Sequence, residues 1–232
     1  TAAGGVAGTV GNHTDFNEIH IINSAVGSAT EAPEYSGGVA GYIGSPENSG
    51  SVRLYDCWVY WEAEAGEQNL RHLLVNDDAN ESYRYQVIGN YAGGLVGRLE
   101  LNLPTTEGTT PAEIRSCLSA TMVDGKTAAG GLIGSVSGGF AGNFGGILYY
   151  NYGSLRMSGS YADCYLTGKA AAGLIGNAYS EIKASDCYAA GFIDMAKAET
   201  AAGLCLSADA KVTTHRCYSA MYYAGRNPGE SY

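Results

Sequence analysis

The chain has 232 residues, a formal net charge of −10, 34 glycines, only 5 prolines and 45% hydrophobic residues. Such acidity excludes nucleic acid and anionic membrane surfaces as partners, and no run reaches the ~18 apolar residues of a membrane-inserted span. High glycine with low proline and many apolar residues is not the composition of a disordered chain.

The first predicted element is AAGGVAG at 2–8, and it returns along the chain. YSGGVAG stands at 35–41, YAGGLVG at 91–97, AAGGLIG at 128–134, AAAGLIG at 170–176 and TAAGLCL at 200–206. Each copy is followed by a second phrase, built on an aliphatic residue and then a cysteine. These are EIHIINSAVG at 18–27, VRLYDCWVY at 52–60, EIRSCLSAT at 113–121, SYADCYLTG at 160–168, EIKASDCYAAG at 181–191 and KVTTHRCYSA at 211–220. The first of these has Asn23 in the cysteine's place. Self-similarity of this kind marks a repeat architecture. The shortest interval, Gly173 to Gly203, is close to the bare unit. It reads as three short strands: AAGLIGNA, EIKAS and CYAAGFI. Ile182 and Ala184 alternate with Glu181, Lys183 and Ser185, the period of two of a half-buried strand.

One such unit cannot bury its apolar face alone, whereas stacked units can, with like residues in columns. The expected fold is all-β: a right-handed parallel β-helix (β-solenoid) of about six repeats, with inserted surface loops. The hand follows the rule for crossovers between parallel strands. A single segment spans 1–232. Two inward ladders are expected. One holds Val6, Val39, Leu95, Leu132, Leu174 and Leu204, and the other Ala7, Ala40, Val96, Ile133, Ile175 and Cys205. Opening on TAAGG, the chain starts at a repeat boundary and reads as a segment of a longer protein, with neighbouring repeats as partners. Insertions fall near 62–90, 98–112 and 137–159. Residues 62–74 have the composition of a short helix, and NDDANES at 76–82 is polar and turn-like. GGFAGNFG at 138–145 mimics the opening phrase, as an abortive extra turn of the coil or as a mobile loop.

Cys57, Cys117, Cys164, Cys187 and Cys217 are assigned one repeat phase and read as a column of small buried side chains. No Cys-x-x-Cys pair suggests a metal site. After the phase cysteine come Trp58, Leu118, Tyr165, Tyr188 and Tyr218, which points this column outward. Exposed, it would bind sugar rings or a protein. The blander alternative has it covered by insertion loops. Tyr149, Tyr150 and Tyr152 form a second candidate contact surface, since tyrosine beside glycine and asparagine suits adaptable binding loops. Asp56, Asp163 and Asp186 precede the phase cysteine and would form a row of carboxylates. No H-E-x-x-H pair, G-x-S-x-G elbow or phosphate loop is present. No catalytic residue, metal or cofactor is therefore assigned.

The alternation of G-G-L-[IV]-G with I-x-x-x-x-C-Y-x-x-G resembles the GLUG repeat. That repeat occurs in large bacterial surface proteins, including adhesin-like proteins and non-catalytic regions of some IgA-specific metallopeptidases. The copies at 129–134 with 157–168 and at 171–193 carry the resemblance best. Those at 3–27 and 36–60 depart from it, with valine for leucine and Asn23 or Trp58 in place of the usual residues. The resemblance implies an extracellular, cell-surface or secreted protein. The expected function is a non-enzymatic module for adhesion, ligand binding or spacing, with a host or environmental glycan or protein as partner. The alternatives are a polysaccharide-active β-helix enzyme and a binder of a host protein such as immunoglobulin or mucin.

Overall fold

The computed structural model describes residues 1–11, 18–22, 25–26, 30–44, 51–60, 86–101, 112–138, 140–144, 147–151, 153–207 and 210–224. Every regular element among them is a β-strand. Nearly all of these strands pair in parallel, in one twelve-stranded and two six-stranded sheets. The sheets are three faces of one parallel β-solenoid, and each circuit of the chain adds one strand to the next.

The bare unit shows how a rung is built. Ala170–Ala172 closes a long strand on face 1, Ile175–Ala178 lies on face 2, and Glu181–Ser185 lies on face 3. Tyr188–Asp194 then returns to face 1, beside Tyr161–Leu166 of the rung before. The stretch AAGLIGNA, expected as one strand, is therefore two strands on different faces, with Gly173–Leu174 at the bend between them. The glycine makes that bend. A Cβ on Gly173 would sit 2.2 Å from the Gly203 carbonyl oxygen and 2.5 Å from Ala189 Cβ. The Gly131 counterpart would meet the Gly173 oxygen at 2.0 Å and Ala162 Cβ at 2.6 Å. The corner folds so closely onto the small inward residues of face 1 that no side chain fits.

Both expected ladders exist. Amides of Val6, Val39, Leu95, Leu132 and Leu174 donate to the carbonyls of Val39, Leu95, Leu132, Leu174 and Leu204, at 2.7–2.9 Å. The second ladder runs Ala7, Ala40, Val96, Ile133, Ile175 and Cys205 in strict register. Leu95, Leu132, Leu174, Ile133 and Ile175 are fully buried, each burial contributing about 1.5–3 kcal/mol. On face 3 the alternation holds as well: Leu54, Ile114, Leu155, Met157 and Ile182 point inward. At the outermost rungs the first ladder opens, with Val6 52% exposed.

Among the described residues two corners repeat from rung to rung and one varies. From face 3 to face 1 the chain turns through one residue with left-handed backbone: Asp56, Ser116, Gly159, Asp186 and Arg216, with φ between 50° and 55°. These include every non-glycine residue of positive φ among the described residues. The amides of Asp56, Ser116, Gly159 and Asp186 hydrogen-bond to the next rung at 3.0–3.1 Å, so the corner is itself a stacked column. The corner from face 2 to face 3 takes two of the insertions, and the third, 61–85, joins Trp58–Tyr60 to Gln86–Gly93, both strands of face 1. In rung 5 the variable corner is only Tyr179–Ser180, whereas in rung 3 it includes 102–111.

The strands Gln86–Gly93, Val96–Leu101 and Ser154–Ser158 belong to rungs. The insertions are thus narrower than 62–90, 98–112 and 137–159. Their paired backbones and alternating burial are those of rung strands. The expected helix over 62–74 and turn over 76–82 lie outside the described residues. GGFAGNFG is neither an extra coil nor an unpaired loop. Phe140–Phe144 pairs antiparallel with Ile147–Asn151, as a ribbon leaving the variable corner.

One register assignment is corrected. Tyr161, not Tyr165, pairs with Tyr188, so Ser160 stands beside Cys187 and Cys164 stands four residues further on. The true column is Cys57, Cys117, Ser160, Cys187 and Cys217. Ser160 makes a thiol's contacts with a hydroxyl. The Cys117 amide donates to Ser160 Oγ (3.1 Å), as the Cys187 amide donates to Cys217 Sγ (3.4 Å). Ser160 Oγ donates to the Ser158 carbonyl (3.0 Å), as Cys187 Sγ donates to Ser185 (3.2 Å). Cys164 is buried in the interior of face 1, 3.4 Å from Ser119 Oγ. The cysteines are free thiols.

Replacing Leu174 by alanine is expected to cost about 2–5 kcal/mol. Gly131→Ala, which overfills the corner, should cost about 1–3 kcal/mol or more. Urea unfolding followed by circular dichroism measures both. In the cysteine column, Ser160→Cys should leave the unfolding midpoint near wild type. Ser160→Ala strands the buried Cys117 amide and should lose about 1–3 kcal/mol in the same assay.

Candidate binding surface

Face 1 projects every second residue outward, because strand side chains alternate. In the five later rungs this gives rows along the solenoid axis, set by the pairing of Trp58, Leu118, Tyr161, Tyr188 and Tyr218. Row one is Trp58, Leu118, Tyr161, Tyr188 and Tyr218. Row two, two residues on, is Tyr60, Ala120, Asp163, Ala190 and Ala220. Row three is Met122, Tyr165, Phe192 and Tyr222. Row four holds Asp124, Thr167 and Asp194, where Thr167 Oγ1 donates to Asp124 Oδ1 (2.7 Å).

Trp58, Tyr188 and Tyr218 therefore stand where the sequence put them. Tyr165 does not: it lies in row three, between Met122 and Phe192, and Tyr161 takes its place. Tyr60, Tyr161, Phe192 and Tyr222 were missed. The signal was available: SLRMS at 154–158 has the alternation of EIKAS at 181–185, and aligning the two makes Tyr161 the partner of Tyr188. The local likeness of Asp163-Cys164 to Asp186-Cys187 obscured it.

The carboxylate row is corrected for the same reason. The corner column is Asp56, Ser116, Gly159, Asp186 and Arg216, and Asp163 lies in row two of face 1. Arg216 grips Asp186 with two hydrogen bonds, at 2.5 and 2.8 Å. This pairing holds the Asp186 carboxyl below its ordinary range.

Tyr149 and Tyr150 lie in the antiparallel ribbon, opposite Gly142 and Ala141; Tyr152 lies outside the described residues. The ribbon leaves the corner between faces 2 and 3, whereas the aromatic rows lie on face 1. The two predicted surfaces are not brought together.

Geometry within row one decides what it offers. The rings of Tyr161 and Tyr188 are stacked, with centroids 5.6 Å apart and planes 14° apart. Tyr188 and Tyr218 lie 4.4 Å apart, tilted by 30°. Tyr188 is thus sandwiched, and the ring faces cover one another at about 0.5–1.5 kcal/mol per pair. In row three Phe192 and Tyr222 meet edge to face at 5.5 Å. The most exposed rings stand at the two ends of the surface: Trp58 at 54%, and Tyr218 and Tyr222 at 63% each. Between rows one and three stand Asp163, Ala190 and Ala220 of row two. Burial, together with the nearby Asp163 carboxylate, pushes the Tyr161 phenol up.

A second aromatic cluster braces the glycine corner of rungs 2 and 3. The Arg98 guanidinium lies over Tyr35 (5.5 Å) and Tyr91 (6.0 Å), and Tyr42 donates to Glu100 Oε2 (2.6 Å). Burial and this carboxylate raise the Tyr42 phenol well above its ordinary value. The cluster's groups largely engage one another, so it is a brace rather than a site. Among the described residues no group of three or more His, Cys, Asp or Glu side chains is placed to hold a metal ion.

No protein-family model, curated protein or solved structure matches the chain.

The buried thiols carry a pH signature. Burial pushes Cys164 and Cys187 up to about 11, and the partly buried Cys205 up to about 12, from an ordinary 9.0. Above 9.0 an unfolded chain releases these protons while the folded chain keeps them, so stability falls as pH rises. Thermal melts through the window from 9.0 to about 11 should show a decreasing midpoint. Cys187→Ser should remove its share of the slope.

Proposed function

We propose that this chain is a non-catalytic binding module of an extracellular, cell-surface or secreted repeat protein of the GLUG type, with face 1 as its contact surface. The observation that carries the reading is the outward aromatic surface of rows one and three. It runs from Trp58 to Tyr218 and Tyr222 on a rigid sheet whose other side is the packed core. Large exposed apolar surfaces are costly in water and mark interaction sites. Tyrosine and tryptophan supply contact area with little side-chain entropy to lose. The solenoid supports the reading too, because stacked repeats present extended surfaces at fixed spacing. The same architecture also suits a spacer that holds this surface away from a cell. A polysaccharide-cleaving role drew on a row of carboxylates at the corner, and that row is interrupted by Ser116, Gly159 and Arg216.

The test is a panel of host and environmental glycans and host proteins, including immunoglobulin and mucin, probed with the wild-type chain and a Trp58→Ala/Tyr218→Ala/Tyr222→Ala variant. Binding to some member of the panel, lost by about tenfold or more in the variant, is the expected result. Binding that survives the triple change but is lost in Tyr149→Ala/Tyr150→Ala/Tyr152→Ala would move the site to the ribbon insertion and overturn the assignment to face 1.

A further inference from the structure

We infer that Cys187 and Cys217 are a redox-active pair, closing to a disulfide that clasps the sixth rung to the fifth. Neither residue belongs to the aromatic rows of face 1, so the pair stands apart from the proposed contact surface.

Register brings the two together. Tyr188 pairs in parallel with Tyr218, so the cysteines just before them stand side by side on neighbouring rungs. Backbones paired in this way lie about 4.8 Å apart, inside the span of about 4.4–6.8 Å that a disulfide bridges between Cα atoms. The Cys187 amide donates to Cys217 Sγ (3.4 Å), and the two thiols lie within hydrogen-bonding reach of each other. In the reduced state each thiol donates to the carbonyl two residues before it, Cys187 to Ser185 (3.2 Å) and Cys217 to His215 (3.4 Å). Thiols are weak donors, so turning the two sulfurs toward one another gives up little.

The column also leaves Cys187 a single thiol to pair with. On its other side stands Ser160, whose hydroxyl forms no such bridge. A cysteine there would give Cys187 two competing neighbours. Serine instead divides the column into two adjacent pairs, Cys57 with Cys117 and Cys187 with Cys217.

Exposure then separates the two pairs. Cys57 and Cys117 are both fully buried, which shields them from an oxidant in the folded chain. Cys187 is buried too, but Cys217 is partly exposed. An external disulfide, the oxidant, therefore meets Cys217 first. The Cys217 thiolate attacks one sulfur of that disulfide, forms a mixed disulfide and expels the other half as a thiolate. Cys187, its proton lost to solvent, then attacks the Cys217 sulfur. The Cys187–Cys217 bond forms as the bond to the second half breaks. The two cysteines give up two protons and two electrons, and the external disulfide takes up both and leaves as two thiols. Cys205, also partly exposed, lies on face 2 in the ladder beside Ile175 rather than in this column.

The test is to incubate the native chain with oxidised glutathione, quench with acid, alkylate the remaining thiols in denaturant and digest with trypsin. Cleavage after Lys183, Lys197, Lys211 and Arg216 puts Cys187, Cys205 and Cys217 on separate peptides, so mass spectrometry reads which thiols are joined. The expected product is one cross-link, Cys187 to Cys217, with Cys57, Cys117, Cys164 and Cys205 alkylated. Dithiothreitol should return Cys187 and Cys217 to the alkylated set. Cys187→Ser should stop the reaction at a glutathione adduct on Cys217, and serine is tolerated in this column because Ser160 already occupies it one rung back. Cys205→Ser should leave the cross-link as it is. Alkylation of all six cysteines after the oxidant would overturn the inference. So would a wild-type adduct on Cys217 that goes no further, a cross-link that includes Cys205, or one that joins Cys57 to Cys117 instead.

Discussion

In-register parallel stacking governs this molecule. Each rung hydrogen-bonds to the next through backbones about 4.8 Å apart, so every side chain has its own counterparts as nearest neighbours. Leu132 lies between Leu95 and Leu174, and Ile133 between Val96 and Ile175. A residue must therefore be compatible with copies of itself. Aliphatic side chains satisfy that condition by stacking. Glycine satisfies it where the corner closes onto the residues Val59, Ser119, Ala162, Ala189 and Ser219 of face 1. The left-handed corner satisfies it differently, because its amides bond along the axis whatever the side chain. Aspartate, serine, glycine and arginine all occupy it in turn.

The same rule shapes the surface. Charges stacked in register would repel; opposite charges alternate at several positions, while Arg156 lies directly beside Lys183. Arg216 follows Asp186, and Glu113 lies between Arg53 and Arg156 while accepting from the Tyr55 hydroxyl. Aromatic residues behave in the opposite way, since rings gain by lying over one another. Tyr161, Tyr188 and Tyr218 form a ladder for the reason the leucines do. A repeat fold with tyrosine at one outward phase thus builds an aromatic ridge without further design, and the ridge spends its ring faces internally.

Variation is confined by the same geometry. The glycine corner and the left-handed corner are locked by contacts to both neighbouring rungs, so neither tolerates extra residues. The passage from face 2 to face 3 has no such lock. It is two residues long at Tyr179–Ser180, and in rung 4 it carries the antiparallel ribbon. The longest insertion is different: residues 61–85 join Trp58–Tyr60 to Gln86–Gly93, both strands of face 1, so this insertion enters on the face that carries the aromatic rows.

Periodic self-likeness in the sequence determined the architecture. The spacing of GGLIG-type phrases identified the rungs, and both inward ladders were legible residue by residue, because stacking makes repeats of sequence into neighbours in space. The three-faced cross-section was not legible, since a bend at Gly173–Leu174 looks like an interruption within one strand until its two sides are seen on different faces. Nor was the register at 154–172. Two Asp-Cys pairs, at 163 and 186, look alike locally, and only the burial of Leu155 and Met157 against Ile182 and Ala184 decides that Ser160 is the counterpart of Cys187. That choice moved Tyr165 out of one row and Tyr161 into it, and carried Asp163 from a corner to row two of face 1. Local sequence specifies which residues can alternate on a strand. Which strand positions meet is set by the core they must fill together, and that is a property of the stack.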